Sequence, residues 1–264
     1  MLKLTPVLVA CSFVLVAHDP AEAVLVRSFT TLNEVNQSPD ANEVGGGTVD
    51  IWAFDSGGAG PANAGSFIGD SGANAAGSGA GAGNPAWALY ANSGATSTAS
   101  ANLAGLMGRS LAQAGDSISL NFDNGFIDNT RSVGVQFVDS NGVVTSQLSF
   151  TGGDAEYQLS DVSTTATGVG FTGDGFNIAL TLTSGNGEYT IDFAGTTLAS
   201  RLLSGSVKDI ASIEVFNASA GGGSERDIYF NNLTVTAVPE VSAALAMPML
   251  FGLLAGLRRG NARD

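Results

Sequence analysis

Apolar and polar residues alternate along the second half of the chain, from about residue 117 to residue 236. Ile118, Leu120 and Phe122, for example, alternate with serine and asparagine. A period of two places every second side chain on the same face of an extended strand, so each such stretch predicts a β-strand with one buried face. The spacing recurs in four further sets: Val133, Val135 and Phe137; Val144, Leu148 and Phe150; Phe176, Ile178, Leu180 and Leu182; and Tyr189, Ile191 and Phe193.

Turn sequences containing glycine separate these stretches. Asn141-Gly142 lies between two alternating runs and predicts a tight hairpin, because Asn-Gly favours positive φ angles. Similar sequences occur at Asn124-Gly125, 173–175 and 185–187. Closely spaced strands with short turns favour an antiparallel sandwich over alternating strands and helices. We therefore predict an all-β fold, an antiparallel β-sandwich of jelly-roll type.

Three stretches depart from simple alternation. Ile228 and Phe230 share one parity while Leu233 and Val235 have the other, which predicts a β-bulge near Asn231-Asn232. Apolar residues at helical spacing across 103–111 are interrupted by glycines, so we expect at most one or two helical turns there. A further helical turn is expected around 199–203.

The tract 45–83 has a different composition, since 13 of its 39 residues are glycine. A flexible linker is one interpretation. Trp52, Phe54, Phe67 and Ile68 interrupt the tract, however, and linkers rarely carry such large apolar residues. We predict a long loop packed against the sandwich, with a mobile part around 73–83.

The N-terminal residues 1–23 have the three parts of a secretory signal peptide. Lys3 is basic, residues 7–17 are apolar, and Ala21-Glu22-Ala23 is a small-residue cleavage site. An alternative is a lipoprotein signal in which Cys11 is acylated. Cleavage after Ala23 leaves a chain without cysteine or histidine, which excludes disulfides, Ser-His-Asp triads and zinc sites with nitrogen or sulfur ligands.

Acidic residues dominate the body of the chain. Residues 24–238 contain six basic and 20 acidic residues, which gives a net charge of −14. Nucleic-acid phosphates would be repelled, so we expect no nucleic-acid partner. An acidic surface favours solubility and divalent cations.

The C-terminal residues 237–264 have a short polar motif, an apolar run and a basic end. Val238-Pro239-Glu240-Val241-Ser242 is followed by apolar residues 243–257 and then by Arg258, Arg259 and Arg263. The stretch 241–257 predicts a transmembrane helix of about 25 Å, short for a membrane span. The arginines favour a cytoplasmic end, which places the body outside that membrane.

This layout resembles the PEP-CTERM sorting signals, with Val238, Pro239 and Glu240 matching the motif and Val241 replacing its final proline. The resemblance implies recognition by an exosortase-type transpeptidase in the inner membrane and processing near Pro239 and Glu240. It also implies transfer to the cell surface or extracellular matrix and association with exopolysaccharide. The alternative is a plain membrane anchor. The match says nothing about the activity of the body.

Residues 87–236 loosely resemble the jelly-roll sandwiches of concanavalin-like lectins and laminin-G domains. The resemblance rests on Trp87-Ala88-Leu89-Tyr90, Asp123-Asn124-Gly125-Phe126 and Asp227-Ile228-Tyr229-Phe230. It concerns the fold and assigns no activity.

Three kinds of chemistry remain open for the body. Trp52, Trp87 and Tyr90 are candidates for stacking on sugar rings. The loop 123–129 offers Asp123, Asn124 and Asp128 as calcium ligands, although such residues are also common in ordinary turns. Glycan hydrolysis would need a pair of carboxylates such as Glu225 and Asp227.

We therefore expect an exported protein with a signal peptide at 1–23, a sandwich at 24–236 and a sorting signal at 237–264. The function expected is that of a non-catalytic surface or matrix protein. A lectin-like module that binds carbohydrate or calcium is the alternative, followed by a glycan hydrolase.

Overall fold

The computed structural model describes residues 24–29, 51–57, 63–71 and 86–239. The predicted signal peptide, Glu240, the predicted membrane helix 241–257 and the predicted mobile stretch 73–83 lie outside these residues. Within the described ranges, no helix has the length and apolar character needed to cross a membrane.

Strands account for most of the described chain, with one short α-helix and a 3₁₀ turn at Ser224–Arg226. The helix, α1, spans Leu103–Met107, as the interrupted helical spacing predicted. The strands are β1 (Leu25–Phe29), β2 (Trp52–Gly57), β3 (Ala64–Gly69), β4 (Ala86–Ala91), β5 (Thr96–Asn102), β6 (Ser117–Asn124), β7 (Ser132–Val138), β8 (Val144–Thr151), β9 (Gln158–Ser160), β10 (Thr164–Ala166), β11 (Phe176–Leu182), β12 (Glu188–Phe193), β13 (Thr196–Leu202), β14 (Ser212–Ala218) and β15 (Ile228–Ala237).

These strands form two antiparallel sheets. Sheet I has the order β13-β12-β11-β6-β15-β4-β3, and sheet II has the order β10-β9-β8-β7-β14-β5-β2. One continuous apolar core contains residues of both sheets. The hydroxyl groups of Tyr189 and Ser146 also hydrogen bond at 2.8 Å between β12 and β8. The predicted all-β antiparallel sandwich is confirmed.

Strand β15 lies inside sheet I and organises it. Along one side it pairs with β6, while the other side pairs first with β4 and then with β1. The register shifts between Asn231 and Thr234, and Asn232 has a φ of 54°. The predicted bulge is thus confirmed, and it explains why the buried parity changes within one strand.

Two predictions about local structure are wrong. Residues 52–57 and 64–69, expected in a loop, are the edge strands β2 and β3, because each pairs with a neighbouring strand over six residues. Residues 199–203, expected to include a helical turn, belong mostly to β13, which pairs with β12. In both places backbone pairing with a neighbouring strand outweighs weak local preference.

Val144 also differs from its prediction. It shares its parity with the buried residues Leu148 and Phe150, yet it is exposed. It is the first residue of β8 and lies beside a register irregularity between Phe137 and Val138, at the margin of the core.

The connections between strands lie at the two ends of the sandwich. The loop end contains the connections 92–95, 125–131, 152–157, 167–175 and 219–227. The opposite end, called the exit end, contains the segment 103–116, the connections 139–143, 161–163, 183–187 and 203–211, and the end of β15. The C-terminal segment therefore leaves the sandwich at the exit end.

Candidate functional site

The two tryptophans lie in the core. Trp52 and Trp87 are 4% and 1% exposed, and both rings contact Phe230, at centroid distances of 4.8 and 6.1 Å. These two candidates are therefore not placed to stack on sugars at the surface, because their rings are buried against each other and against Phe230.

Tyr90 is partly exposed, unlike the tryptophans. Its ring lies over Gly65, where a Cβ atom would come within 2.7 Å of the tyrosine hydroxyl. Phe67 lies beside it at a centroid distance of 6.2 Å. Tyr90 also lines a cleft of about 240 Å³ with Phe54, Asp55 and Ser97 between the edges of the two sheets.

The predicted calcium ligands occupy different surroundings. Asp123 and Asn124 are buried, and the Asn124 side-chain oxygen accepts a hydrogen bond from the Tyr157 hydroxyl. Asp128 is exposed and forms an ion pair with Arg226, with 2.8 Å between Oδ1 and Nε. Among the residues that the structure describes, no cluster of three or more histidine, cysteine or carboxylate side chains is placed to hold a metal ion.

Two exposed aromatic rings lie at the loop end. Phe126 and Phe171 are 47% and 39% exposed, and their rings lie within 14° of parallel with centroids 6.0 Å apart. Phe171 packs edge-on against the buried Phe150 at 5.5 Å, and Phe150 contacts Tyr157 at 4.9 Å. The exposed pair is therefore supported by the core.

Close packing of two loops positions Phe126. The Phe126 amide donates a hydrogen bond to the Glu225 carbonyl at 2.8 Å, and the Asp128 amide donates one to the Ala220 carbonyl at 2.9 Å. Gly125 makes this approach possible, because a Cβ atom there would lie 2.2 Å from the Glu225 carbonyl oxygen. The loop sequence Asn-Gly-Phe thus places an aromatic ring beside the segment 219–227.

Charged groups border this part of the loop end. Arg226 forms ion pairs with both Asp128 and Glu225, and all three side chains are partly exposed. They offer hydrogen-bond donors and acceptors on the two loops whose backbones meet at Phe126.

Asp227 differs from its neighbour Glu225 because it is buried. Burial, reinforced by the negative charge of Glu225, raises the pKa of Asp227 from 3.8 to about 7. Glu225 is instead tied to Arg226 at the surface. The two carboxyl groups considered for hydrolysis therefore have separate partners and surroundings.

A network at the exit end holds the start of the predicted sorting motif. Asp116, whose side chain is fully buried, forms two hydrogen bonds with the Arg109 guanidinium, at 2.7 and 2.8 Å. The Val238 amide donates to Asp116 Oδ1 at 2.8 Å, and the Val238 carbonyl accepts from Arg109 Nη2 at 2.6 Å. We call Arg109, Asp116 and the Val238 backbone the Val238 clamp. Pro239 follows it and is half-buried.

The turn before β6 shapes this clamp. Amides of Ala112 and Gln113 both donate to Asp116 Oδ2 at 2.8 Å, and Gly115 has a φ of 93°. Burial alone would raise the pKa of Asp116, but hydrogen bonds from Arg109 and three backbone amides hold it below 3.8. Asp116 is therefore a carboxylate at neutral pH.

Sequence reasoning missed Phe171, Arg109 and Asp116 and treated Phe126 only as part of a loop. A usable signal existed for the phenylalanines, since each lies among glycines outside the alternating runs. Arg109 is the only charged residue from Ser71 to Gly115, which is a second signal. Its pairing with Val238, 129 residues away, follows only from the fold.

The fold of this chain is weakly similar to those of several solved structures. No family model and no curated protein matches the chain. Among solved structures it is similar to a sialidase (11% identity, TM-score 0.44, covering 60% of this chain and 16% of that one). It is also similar to an alginate lyase from a Corynebacterium species, with 14% identity and a TM-score of 0.36, covering 61% of this chain and 71% of that one. A third similar structure is a Caenorhabditis elegans galectin, with 10% identity and a TM-score of 0.33, covering 48% of this chain and 84% of that one. The chain thus spans about a sixth of the length of the sialidase.

Proposed function

We propose that the chain is an exported, non-catalytic surface protein whose sandwich binds neutral glycans at the loop end. The observation that carries the binding role is the exposed, nearly parallel pair Phe126 and Phe171 on its buried support. The apolar face of a pyranose ring packs on such rings, while hydroxyl groups need polar partners. Arg226, Asp128 and Glu225 supply donors and acceptors on the adjoining loops.

Charge narrows the class of glycan. The body carries a net charge of −14, which repels polymers rich in carboxylate or sulfate. Neutral exopolysaccharide is therefore the ligand class that we propose. A non-catalytic role fits the different surroundings of Asp227 and Glu225, since the first is buried and the second is paired with Arg226.

Glycan binding is tested with the exported chain on neutral and uronic-acid oligosaccharides. Phe126→Ala and Phe171→Ala are each expected to weaken binding to neutral glycans about tenfold, since each removes a stacking surface. Phe126→Ala should lower stability less than Phe171→Ala, because Phe171 also packs against the buried Phe150. Because Asp128 is paired with Arg226, we expect the same affinity with and without calcium.

Tyr90→Ala is the matched control. It removes an aromatic ring from the cleft between the sheet edges and should leave glycan binding unchanged. Loss of binding in Tyr90→Ala but not in the phenylalanine variants would contradict the loop-end site. Binding of acidic oligosaccharides alone would contradict the ligand class.

Export and sorting are the second part of the proposal. It is supported by the three-part N-terminal signal, the resemblance at the C-terminus, and the end of β15 at Ala237, directly before the motif. A stop codon after Pro239 keeps the Val238 clamp and removes the predicted membrane segment. We expect this chain in the soluble fraction and the complete chain in the membrane fraction, as measured by fractionation. Equal retention of both chains in the membrane fraction would argue against sorting through the C-terminus.

A further inference from the structure

The Val238 clamp limits how far the sandwich can lie from the membrane. Val238 is fixed to the exit end through both its amide and its carbonyl. Val241, the first residue of the predicted membrane segment, follows three residues later. Three residues span at most about 11 Å. This limit on distance rests on the proposed function, in which residues 241–257 enter the inner membrane before processing.

Exposed apolar side chains are divided between the two ends. Among the described residues, the large apolar side chains that are exposed at the loop end are Phe126 and Phe171. The others are aliphatic and lie at or towards the exit end, namely Val24, Leu25, Val26, Val143, Val144 and Val162. Leu25 pairs with Ala237, one residue before the clamp. Moving aliphatic groups out of water lowers the free energy, and a lipid surface near the exit end would provide an apolar environment for them.

Among the residues that the structure describes, most acids of the exit end are withdrawn from its surface. Asp116, Asp139 and Asp209 are buried. The Asp139 carboxylate accepts from the amides of Asn141 and Val143, and the Asp209 carboxylate accepts from Ser140. Asp161 is paired with Arg201, and Glu188, the first residue of β12, is exposed. The overall negative charge of the body therefore opposes lipid contact less at this end.

We infer that, in the membrane-anchored precursor, the exit end of the sandwich lies against the lipid surface and is kept there by the Val238 clamp. The loop end then points away from the membrane. The aliphatic residues of the exit end contact the interfacial region of the bilayer. Processing near Pro239 would release this contact together with the anchor.

The test uses the chain from Val24 to Asp264, which has no cysteine, in phosphatidylcholine vesicles. Ser140→Cys at the exit end and Ser224→Cys at the loop end are matched substitutions of exposed serines. Each carries the same fluorescent label, and quenching by lipids brominated near the headgroup is measured. We expect several-fold stronger quenching of the Ser140→Cys label than of the Ser224→Cys label.

A second variant lengthens the short connection between the clamp and the membrane segment without altering the sandwich. A flexible Gly-Ser linker of about ten residues, inserted after Pro239, removes the limit on distance. Quenching of the Ser140→Cys label should then fall towards that of the loop-end label. Unchanged quenching would overturn the role assigned to the clamp.

Vesicle flotation distinguishes failure of the proposed orientation from failure of the proposed membrane segment. If the chain floats with vesicles but both labels are quenched equally, the proposed orientation is overturned while the membrane segment stands. If the chain does not float, the membrane segment in the proposed function fails, and the orientation fails with it.

Discussion

Asp116→Asn is expected to lower the free energy of unfolding by about 3 kcal/mol at pH 7. The substitution leaves the Arg109 guanidinium without its carboxylate, although that side chain is only 20% exposed. It also puts an amide group where Asp116 accepts hydrogen bonds from Ala112, Gln113 and Val238. Urea denaturation of the chain ending at Pro239 measures the change.

The effect of Asp116→Asn should depend on pH. The pKa of Asp116 is below its ordinary value in the folded protein, so its contribution is complete above the unfolded pKa of about 3.9. The contribution is lost as the pH falls through the folded pKa, and the difference between the two proteins should shrink there. Asp128→Asn, which breaks the exposed pair with Arg226, is the control and should cost less than about 1 kcal/mol. Equal effects of the two substitutions would refute the structural importance of the clamp.

Asp227→Asn is expected to have the opposite sign and to stabilise the protein above pH 7. The raised pKa of about 7 means that the folded state retains a proton that the unfolded chain releases near pH 4. The contribution of Asp227 to stability is therefore complete below pH 4 and is lost as the pH rises through 7. By linkage the loss is at most about 4 kcal/mol, and we expect about 2 kcal/mol after local relaxation.

Asparagine avoids this loss because it is neutral at every pH. Thermal unfolding between pH 4 and pH 9 should show a growing advantage of Asp227→Asn that levels off above about pH 7. Asp174→Asn, at an exposed position of the loop end, is the matched control. A pH-independent difference for Asp227→Asn would mean that its carboxyl group titrates normally in the folded protein.

Sequence patterns predicted the strands that have one buried and one polar face. Strand β11 is an example, because Phe176, Ile178, Leu180 and Leu182 face the core while the residues between them are more exposed. Strand β4 could not be assigned in this way, because Ala86 and Ala88 are buried on the face opposite Trp87. Without a polar face there is no alternation, and the orientation of Trp87 cannot be inferred.

The candidate site was less predictable than the fold. Tyr90 was identified and is partly exposed, but the exposed pair combines Phe126 with Phe171 across separate loops. The Val238 clamp likewise joins the segment before β6 to the end of β15. The local sequence shows which residues depart from the strand pattern, whereas the pairing of distant strands determines which of those residues contact each other.

The internal position of β15 has a consequence for biogenesis. Because this C-terminal strand joins β6, β4 and β1, sheet I cannot close until the ribosome has made residue 237. Such high contact order slows folding. Sheet I is therefore completed only after most of the chain has been made, and export as proposed above would carry the chain through a translocation channel before the sandwich forms.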